Sequence, residues 1–556
     1  IGVRLVGSEM CIRDRFNIFD IHHKSFNRVM GKHAGSFKVT YSTMNAELLE
    51  EFHQQFDVAL AKVKKEIGSE HQNWVNGEKI KTESSKEKHC PADNTIILGK
   101  FAQASREQTD TAIKAAQNAF VQWNLVGWEK RCELLLNAAE IIHDRRYYLS
   151  AVMSIEVGKN RLEAMGDTEE SADLIRYYCQ IMAEENGFIR QMGRLTPNEN
   201  VKGRLVPFGV WGVIAPFNFP LALSAGMAAG AMVTGNTVIF KPSSDAPWTG
   251  ALLNQVFVDA GIPRGVFNLL NGPGSVVGDE LVSNPAVDGL VFTGSKNVGM
   301  DIYHRFSKIF PKPCIIEMGG KNPAIVTKTA DLEAAAEGIM RSAFGLGGQK
   351  CSACSRAYIE EDIFKEFMDI LIEKTMAIVI GDPTEGETFL GPLINEGAYT
   401  SYQSYMESAR KDGTVIYGGN VCIGSNLEKG YFVEPAIIKD LQSDHPLVKK
   451  ELFSPILYVR SVKGFQDALT LANDTEYGLT AGLFSNNKKE IDDFFNSIRA
   501  GVTYVNRRSG ATTGAWPGVQ PFCGWQSSGS TGKGCCGPYY VTQFMREQSR
   551  TIMETT

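Results

Sequence analysis

Between residues 203 and 300 the chain alternates short β-rich runs with helices built of small residues: GVWGVIAP, LALSAGMAAGAMVTG, TVIFKP, WTGALLNQVFVDAG, VFNLLNG and GLVFTGS. Strands that read as continuous apolar runs are buried on both faces, and helical connections between them make them parallel. The pattern predicts a parallel sheet covered by helices on both sides. A second alternating set runs from CIIEMGG through PAIVT, a long helix at 331–346, RAYIEEDIF and a helix near 363–378. It predicts a second α/β domain, in keeping with 556 residues, too many for one ordinary core.

The same region holds an uncharged run over 205–240, long enough to suggest a membrane span. Pro207, Pro216, Pro220, Asn218 and several glycines interrupt it, which a lipid-exposed helix tolerates poorly. The expectation is strand, loop, helix and strand, with no membrane partner. A net charge of −6 gives no electrostatic reason to expect nucleic acid. Eleven cysteines in no regular framework favour free thiols in a reducing compartment. Nine histidines form no HxxxH, HExxH or Cys/His quartet, so no metal site is expected.

Residues 1–44 are set apart as an amino-terminal extension. LVGSEMCIRDR (5–15) resembles translated adaptor sequence, and about the first 25 residues are treated as non-native. No secretory signal is visible. The stretch 24–43 has no acid and reads either as part of an organelle transit segment or as a native arm; the cytoplasm is the expectation, with the mitochondrial matrix as the alternative. Beyond it, helices are expected over 46–67 and through SREQTDTAIKAAQNAFVQW, which opens on a Ser-x-x-Gln capping signal. NWVNGEKI (73–80) reads as a strand with an Asn-Gly turn.

Five stretches carry chemistry. VFTGSKNVG ends a strand in Thr293, Gly294 and Ser295, a turn that either aims amides at an anion or is simply tight. TVIFKP puts Lys241 at a strand's carboxyl end, where ligands of open α/β sheets bind; a solvated lysine is the plain alternative. Asn218 in APFNFP either donates to a developing oxyanion or caps the next helix. Glu317 in CIIEMGGKNP precedes a Gly-Gly turn and has the surroundings of a base. GGQKCSACSR (348–357) places Cys351 and Cys354 three apart: a redox pair, half a metal site, or one nucleophile with a bystander.

In order and with their gaps, APFNFP, VIFKP, FTGS, EMGGKNP, GGQKC and KELFSP resemble the aldehyde dehydrogenase superfamily over about residues 70–550. The resemblance implies an aldehyde dehydrogenase-like α/β fold with a Rossmann-like cofactor domain (45–186 and 208–318), a catalytic domain (319–536), and flap strands for oligomerisation (187–207 and 537–556). It makes Cys351 the nucleophile, Cys354 the bystander, Glu317 the base that activates the hydrolytic water, and Asn218 an oxyanion donor. NAD is the implied cofactor, with NADP also admitted. The cofactor positions implied are Ala215, Pro216, Phe217, Lys241, Ser244, Thr293, Gly294, Ser295, Gly299, Glu451 and Phe453. Glu317 favours release of a free acid over transfer to coenzyme A. Ser244 stands where many NAD-specific relatives carry glutamate, which leaves room for a 2′-phosphate.

QKCSACSR, TGAWPGVQPFCGWQSSGSTGKG and GPYYVTQFMREQSRT look most like the branch of that family that oxidises L-glutamate γ-semialdehyde to L-glutamate in proline breakdown. That likeness implies substrate contacts from Ser352, Gly514, Ala515 and Phe522. NRRSGATTGA is about three residues longer than the usual spacing, so Gly510 and Ala511 compete as the carboxylate anchor. Cys523 replaces a usual glycine. Another small aldehyde and a catalytically silent relative are the rival readings. A homodimer or higher oligomer is expected from the flap strands.

Overall fold

The computed structural model describes residues 46–554, so the expectations for 1–44 fall outside the described residues. A first seven-stranded sheet runs in the order Cys314–Glu317, Gly289–Thr293, Val210–Ile214, Thr237–Lys241, Phe267–Leu269, Asn73–Val75 and Glu78–Ile80. The first five strands are parallel. The last two form an antiparallel hairpin, whose turn residues Asn76 (φ 53°) and Gly77 (φ 74°) are both left-handed. Numbered along the chain, the parallel strands lie 3-2-1-4-5. The order reverses between Val210–Ile214 and Gly289–Thr293, and a crevice at such a reversal is where ligands of open sheets bind.

The uncharged run is the expected series: the end of strand Glu199–Pro207, then Val210–Ile214, helix Ala222–Val233 and strand Thr237–Lys241. Its helix is made of small residues because neighbours press close. A side chain at Gly226 would meet Leu174 at 2.8 Å, and one at Gly230 would meet Phe544 at 2.8 Å. Among the described residues no helix is long and apolar enough to cross a membrane.

The second sheet runs Thr414–Tyr417, Ala436–Lys439, Ile456–Val462, Cys354–Glu360, Asn322–Val326, Thr480–Phe484 and Val502–Val505. All its pairs are parallel except the edge strand Thr414–Tyr417. The two sheets are joined by the short turn after Glu317. Residues 528–530 return to brace that turn: Met318 N–H donates to Ser528 O, and Ser530 N–H to Ile316 O.

A third, antiparallel sheet pairs Met545–Met553 with Glu199–Pro207 along their full length, with Ile189–Gln191 on the far side. Strand was expected from further back, but Val541–Phe544 is a 3-10 turn. Its aromatic neighbours decide this, since Tyr540 stacks on Tyr178 and Phe544 packs on Trp211. A small sheet of Ser69–His71, Ile97–Gln103 and Ser84–His89 was not expected. Ser84–His89 is mostly exposed and charged, so it lacks apolar alternation. The Ser105–Gln108 capping box forms as its sequence predicts.

Candidate active site

Cys351 sits on a loop that the sequence has constrained heavily. After helix Leu332–Phe344, three successive residues take left-handed backbone: Leu346 (φ 51°), Gly347 (φ 63°) and Gly348 (φ 66°). A Cβ at Gly348 would lie 2.4 Å from Ser454 O, so glycine is required there on two counts. Gln349 fastens the turn, donating to Leu346 O and accepting from Ile394 N–H. Lys350 pairs with Glu163 at 2.6 Å. On the downstream side the Asn322 amide donates to Cys351 O (2.7 Å) and Ala353 O (2.9 Å), and accepts from Thr480 N–H. A side chain at Gly320 would strike Cys351 O at 2.6 Å.

With its main chain so held, Cys351 faces a cavity of about 330 Å³. Cys354, three residues on, is buried in the apolar core of the second sheet, its thiol turned to Arg356 O. Both are free thiols. No group of three or more metal-ligating side chains occurs among the described residues.

Glu317, Thr293, Ser352, Gly514, Ala515 and Phe522 line the same cavity as Cys351. Burial pushes the Glu317 carboxyl up to about 8, and its Oε1 is shielded and has no hydrogen-bond partner among the described residues. The Cys351 thiol is held well above its ordinary range, first by burial, then by Glu317 and Glu451, against the pull of the Ser352 amide. Glu317 therefore loses its proton before the thiol does. A carboxylate in this position can accept a proton from the thiol or from a water.

Gly510 and Ala511 have no amides to offer: Gly510 N–H donates to Arg507 O and Ala511 N–H to Gly338 O. Ala511 is packed in the second sheet's core. Gly514 is left-handed (φ 94°), and Arg507 grips the carbonyls of Thr513 and Gly514. The amides of Gly514 and Ala515 bond to no acceptor among the described residues.

Asn218 is buried beside Phe219 but lies outside the cavity lining. Nor does it cap the helix that follows. Ala222 N–H donates instead to Asp167 Oδ1, whose other oxygen holds Lys159 at 2.8 Å in a fully buried ion pair.

The remaining expected residues gather at the crevice of the first sheet. Lys241 ends its strand buried, donating to Pro242 O, and burial lowers its ammonium to about 8. Glu451 is pushed up to about 7 by burial, although Gly320 N–H donates to its Oε1. A Cβ at Gly319 would displace that carboxylate. Phe217 and Phe453 meet edge to face at 5.8 Å. Ser295 begins helix Lys296–Phe306 without a side-chain cap, leaving its first turn open to an anion. The Gly294 amide is spent on Glu317 O and the Gly299 amide on Ser295 O. Gly299 thus matters for packing, since a Cβ there would strike Met318. Ala215 N–H continues the sheet to Lys241 O, Pro216 is half-buried, and Ser244 is exposed. A buried cation, a buried carboxylate and an open helix start suit the ribose hydroxyls and phosphates of a dinucleotide.

Three residues of this site went unread in the sequence. Asn322 stands within EMGGKNP with no signal of its own, Phe219 lies inside APFNFP, and Glu170 is one acid among many on its helix. Phe219 and Glu170 both line the cavity. Burial and the nearby Asp167 push Glu170 up to about 8.

The model of the aldehyde dehydrogenase family matches residues 74–549. A 1-pyrroline-5-carboxylate dehydrogenase of Geobacillus sp. (strain WCH70) is 37% identical over 511 residues, 91% of this chain and 97% of the relative. That of Geobacillus thermodenitrificans is 38% identical over 506 residues, covering 90% and 96%. The crystal structure of a Thermus 1-pyrroline-5-carboxylate dehydrogenase with bound NAD superposes with a TM-score of 0.87 at 33% identity, over 94% of this chain and 100% of that one. The order of the sheets, the cavity thiol with its buried acid, and these matches have one meaning: the chain belongs to the aldehyde dehydrogenase family.

Proposed function

We propose that this chain is an NAD-dependent dehydrogenase that oxidises L-glutamate γ-semialdehyde to L-glutamate through a thioester on Cys351. The observation that carries the reading is one cavity holding a thiol, a shielded carboxyl and two unspent amides. The names of the relatives, at 37% and 38% identity over nine-tenths of the chain, support the substrate. The NAD in the Thermus structure supports the cofactor.

In this reading the Cys351 sulfur adds to the aldehyde carbon and its proton passes to Glu317 or water. The resulting oxyanion draws on the Cys351 amide, with the Asn218 side chain, buried beside the cavity-lining Phe219, as the second donor; losing one such donor costs about 10²–10³ in rate. NAD, when bound, supplies the hydride acceptor that leaves a thioester. Glu317 then takes a proton from the water that attacks the thioester, freeing the acid and restoring the thiol. The substrate's α-carboxylate lies on the amides of Gly514 and Ala515 and the Ser352 hydroxyl, with its ammonium toward Glu170. Phe219 and Phe522 flank its methylenes.

Lys241 and Glu451 serve the ribose hydroxyls, and Ser295 with its helix start serves the pyrophosphate. Gly294 and Gly299 keep that turn tight, Thr293 stands nearest the nicotinamide, and Ala215, Pro216, Phe217 and Phe453 form the crevice walls. Ser244 offers a hydroxyl where a carboxylate would repel a 2′-phosphate, so NADP is admitted as a weaker cofactor. A homodimer is part of the proposal: Met545–Met553 and Val502–Val505 are both edge strands that a second copy can extend. Action in the cytoplasm suits ten free cysteines among the described residues.

The test is NADH formation from glutamate semialdehyde against propanal. A kcat/KM at least about 100-fold higher for the semialdehyde is expected, since desolvated anchor groups left unpaired cost about 1–3 kcal/mol each. Equal turnover overturns the substrate, and no NADH from either overturns the activity.

A further inference from the structure

The wall of the same cavity contains two more thiols that the proposed reaction does not use. Cys535 and Cys536 are adjacent in sequence, both line the cavity, and their sulfurs lie 3.8 Å apart. They are free thiols, 6% and 1% exposed. The main chain on either side of the sulfurs is fixed. Tyr178 OH donates to Cys535 O at 2.7 Å, and Gly518 N–H to Cys536 O at 3.1 Å. Gly534 packs so closely under Phe522 that a Cβ would overlap the Phe522 carbonyl. The pair is therefore presented on a pinned turn in the cavity wall, together with Phe522.

We infer that Cys535 and Cys536 form a second thiol site, one that captures a monosubstituted trivalent arsenical and thereby blocks the substrate cavity without involving Cys351. Sulfur ligands select soft, thiophilic centres. A metal ion needs three or four donors, and no such group occurs among the described residues. An organoarsenic(III) oxide needs only two sulfurs. In the capture two As–S bonds form and the As=O bond is lost; both thiol protons leave with that oxygen as one water, and no electron changes hands. Phe219, Leu223 and Phe522 give the cavity an apolar lining that suits an aryl group on arsenic.

The probe is phenylarsine oxide, and the first readout is mass rather than turnover. Full-length Cys351→Ala protein is expected to take up one equivalent, as the unaltered protein does. Peptide mapping should place it on the segment holding Cys535 and Cys536. A 1,2-dithiol should strip it and a monothiol should not. Cys535→Ser and Cys536→Ser should each weaken uptake at least about tenfold. In the unaltered protein the dehydrogenase rate should fall at least about tenfold with uptake. The inference is overturned if Cys351→Ala protein takes up no arsenical, or if the adduct on unaltered protein maps to any other cysteine. Should either serine variant fail to fold, the peptide map of the unaltered protein decides.

Discussion

The cavity and the crevice meet at Gly319 and Gly320 yet are built on opposite plans. Around Cys351 the main chain is tied down by Gln349, Asn322 and the Lys350–Glu163 pair, while the Cys351 thiol faces the cavity and Glu317 Oε1 is left without a partner among the described residues. At the crevice the buried groups are charged, Lys241 donating to Pro242 O and Glu451 accepting from Gly320 N–H. A fixed frame around a free reactive atom suits covalent chemistry. Buried charges short of partners suit a ligand that completes them. The difference teaches which changes should alter the chemical step and which should alter only binding.

The largest effect on the cavity side is expected from Glu317→Gln. Thioester hydrolysis should slow by about 10²–10⁴, a typical loss for a general base, while a first burst of NADH survives. In the native protein hydrolysis needs ionised Glu317, so its rate should climb about tenfold per pH unit up to about pH 8 and then level. The glutamine variant should lose that limb; stopped-flow traces across pH check both statements. Asn322→Ala removes bonds to three backbone groups at the nucleophile's loop, at about 1–3 kcal/mol for groups left unpaired. A fall in kcat of about tenfold to a hundredfold, with little change in KM for NAD, would sharpen the contrast. Lys241→Ala should do the reverse, raising KM for NAD about tenfold for a lost charged hydrogen bond while Cys351 alkylation by iodoacetamide keeps its rate. If kcat alone fell, the division between the two regions would break. The smallest effect belongs to Cys354→Ala: kcat within about twofold, with a loss of about 1 kcal/mol in an unfolding titration from its buried place.

Much of this was legible in the sequence because it is local. The parallel strands announce themselves as apolar runs, although CIIEMGG, expected to open the second α/β set, supplies the strand Cys314–Glu317 that edges the first sheet. Cys351, Glu317 and Lys241 each stand at the end of a strand or loop within one short motif. What stayed hidden depends on hydrogen bonds between distant segments. Whether Gly510 and Ala511 or Gly514 and Ala515 have free amides is decided by Arg507 and Gly338. The helix after APFNFP is capped by Asp167, fifty-five residues upstream, and not by the adjacent Asn218. Ser84–His89 pairs as a strand although its exposed, charged side chains carry no period.

The central claim is that Cys351 carries the acyl group. Glu317→Gln protein mixed with NAD and glutamate semialdehyde, quenched in acid and mapped by mass spectrometry, tests it most directly. One glutamyl thioester per chain on the peptide holding Cys351, with Cys354 unmodified, is the predicted result. An acyl group on any other residue, or sustained turnover with Cys351 never modified, would contradict it.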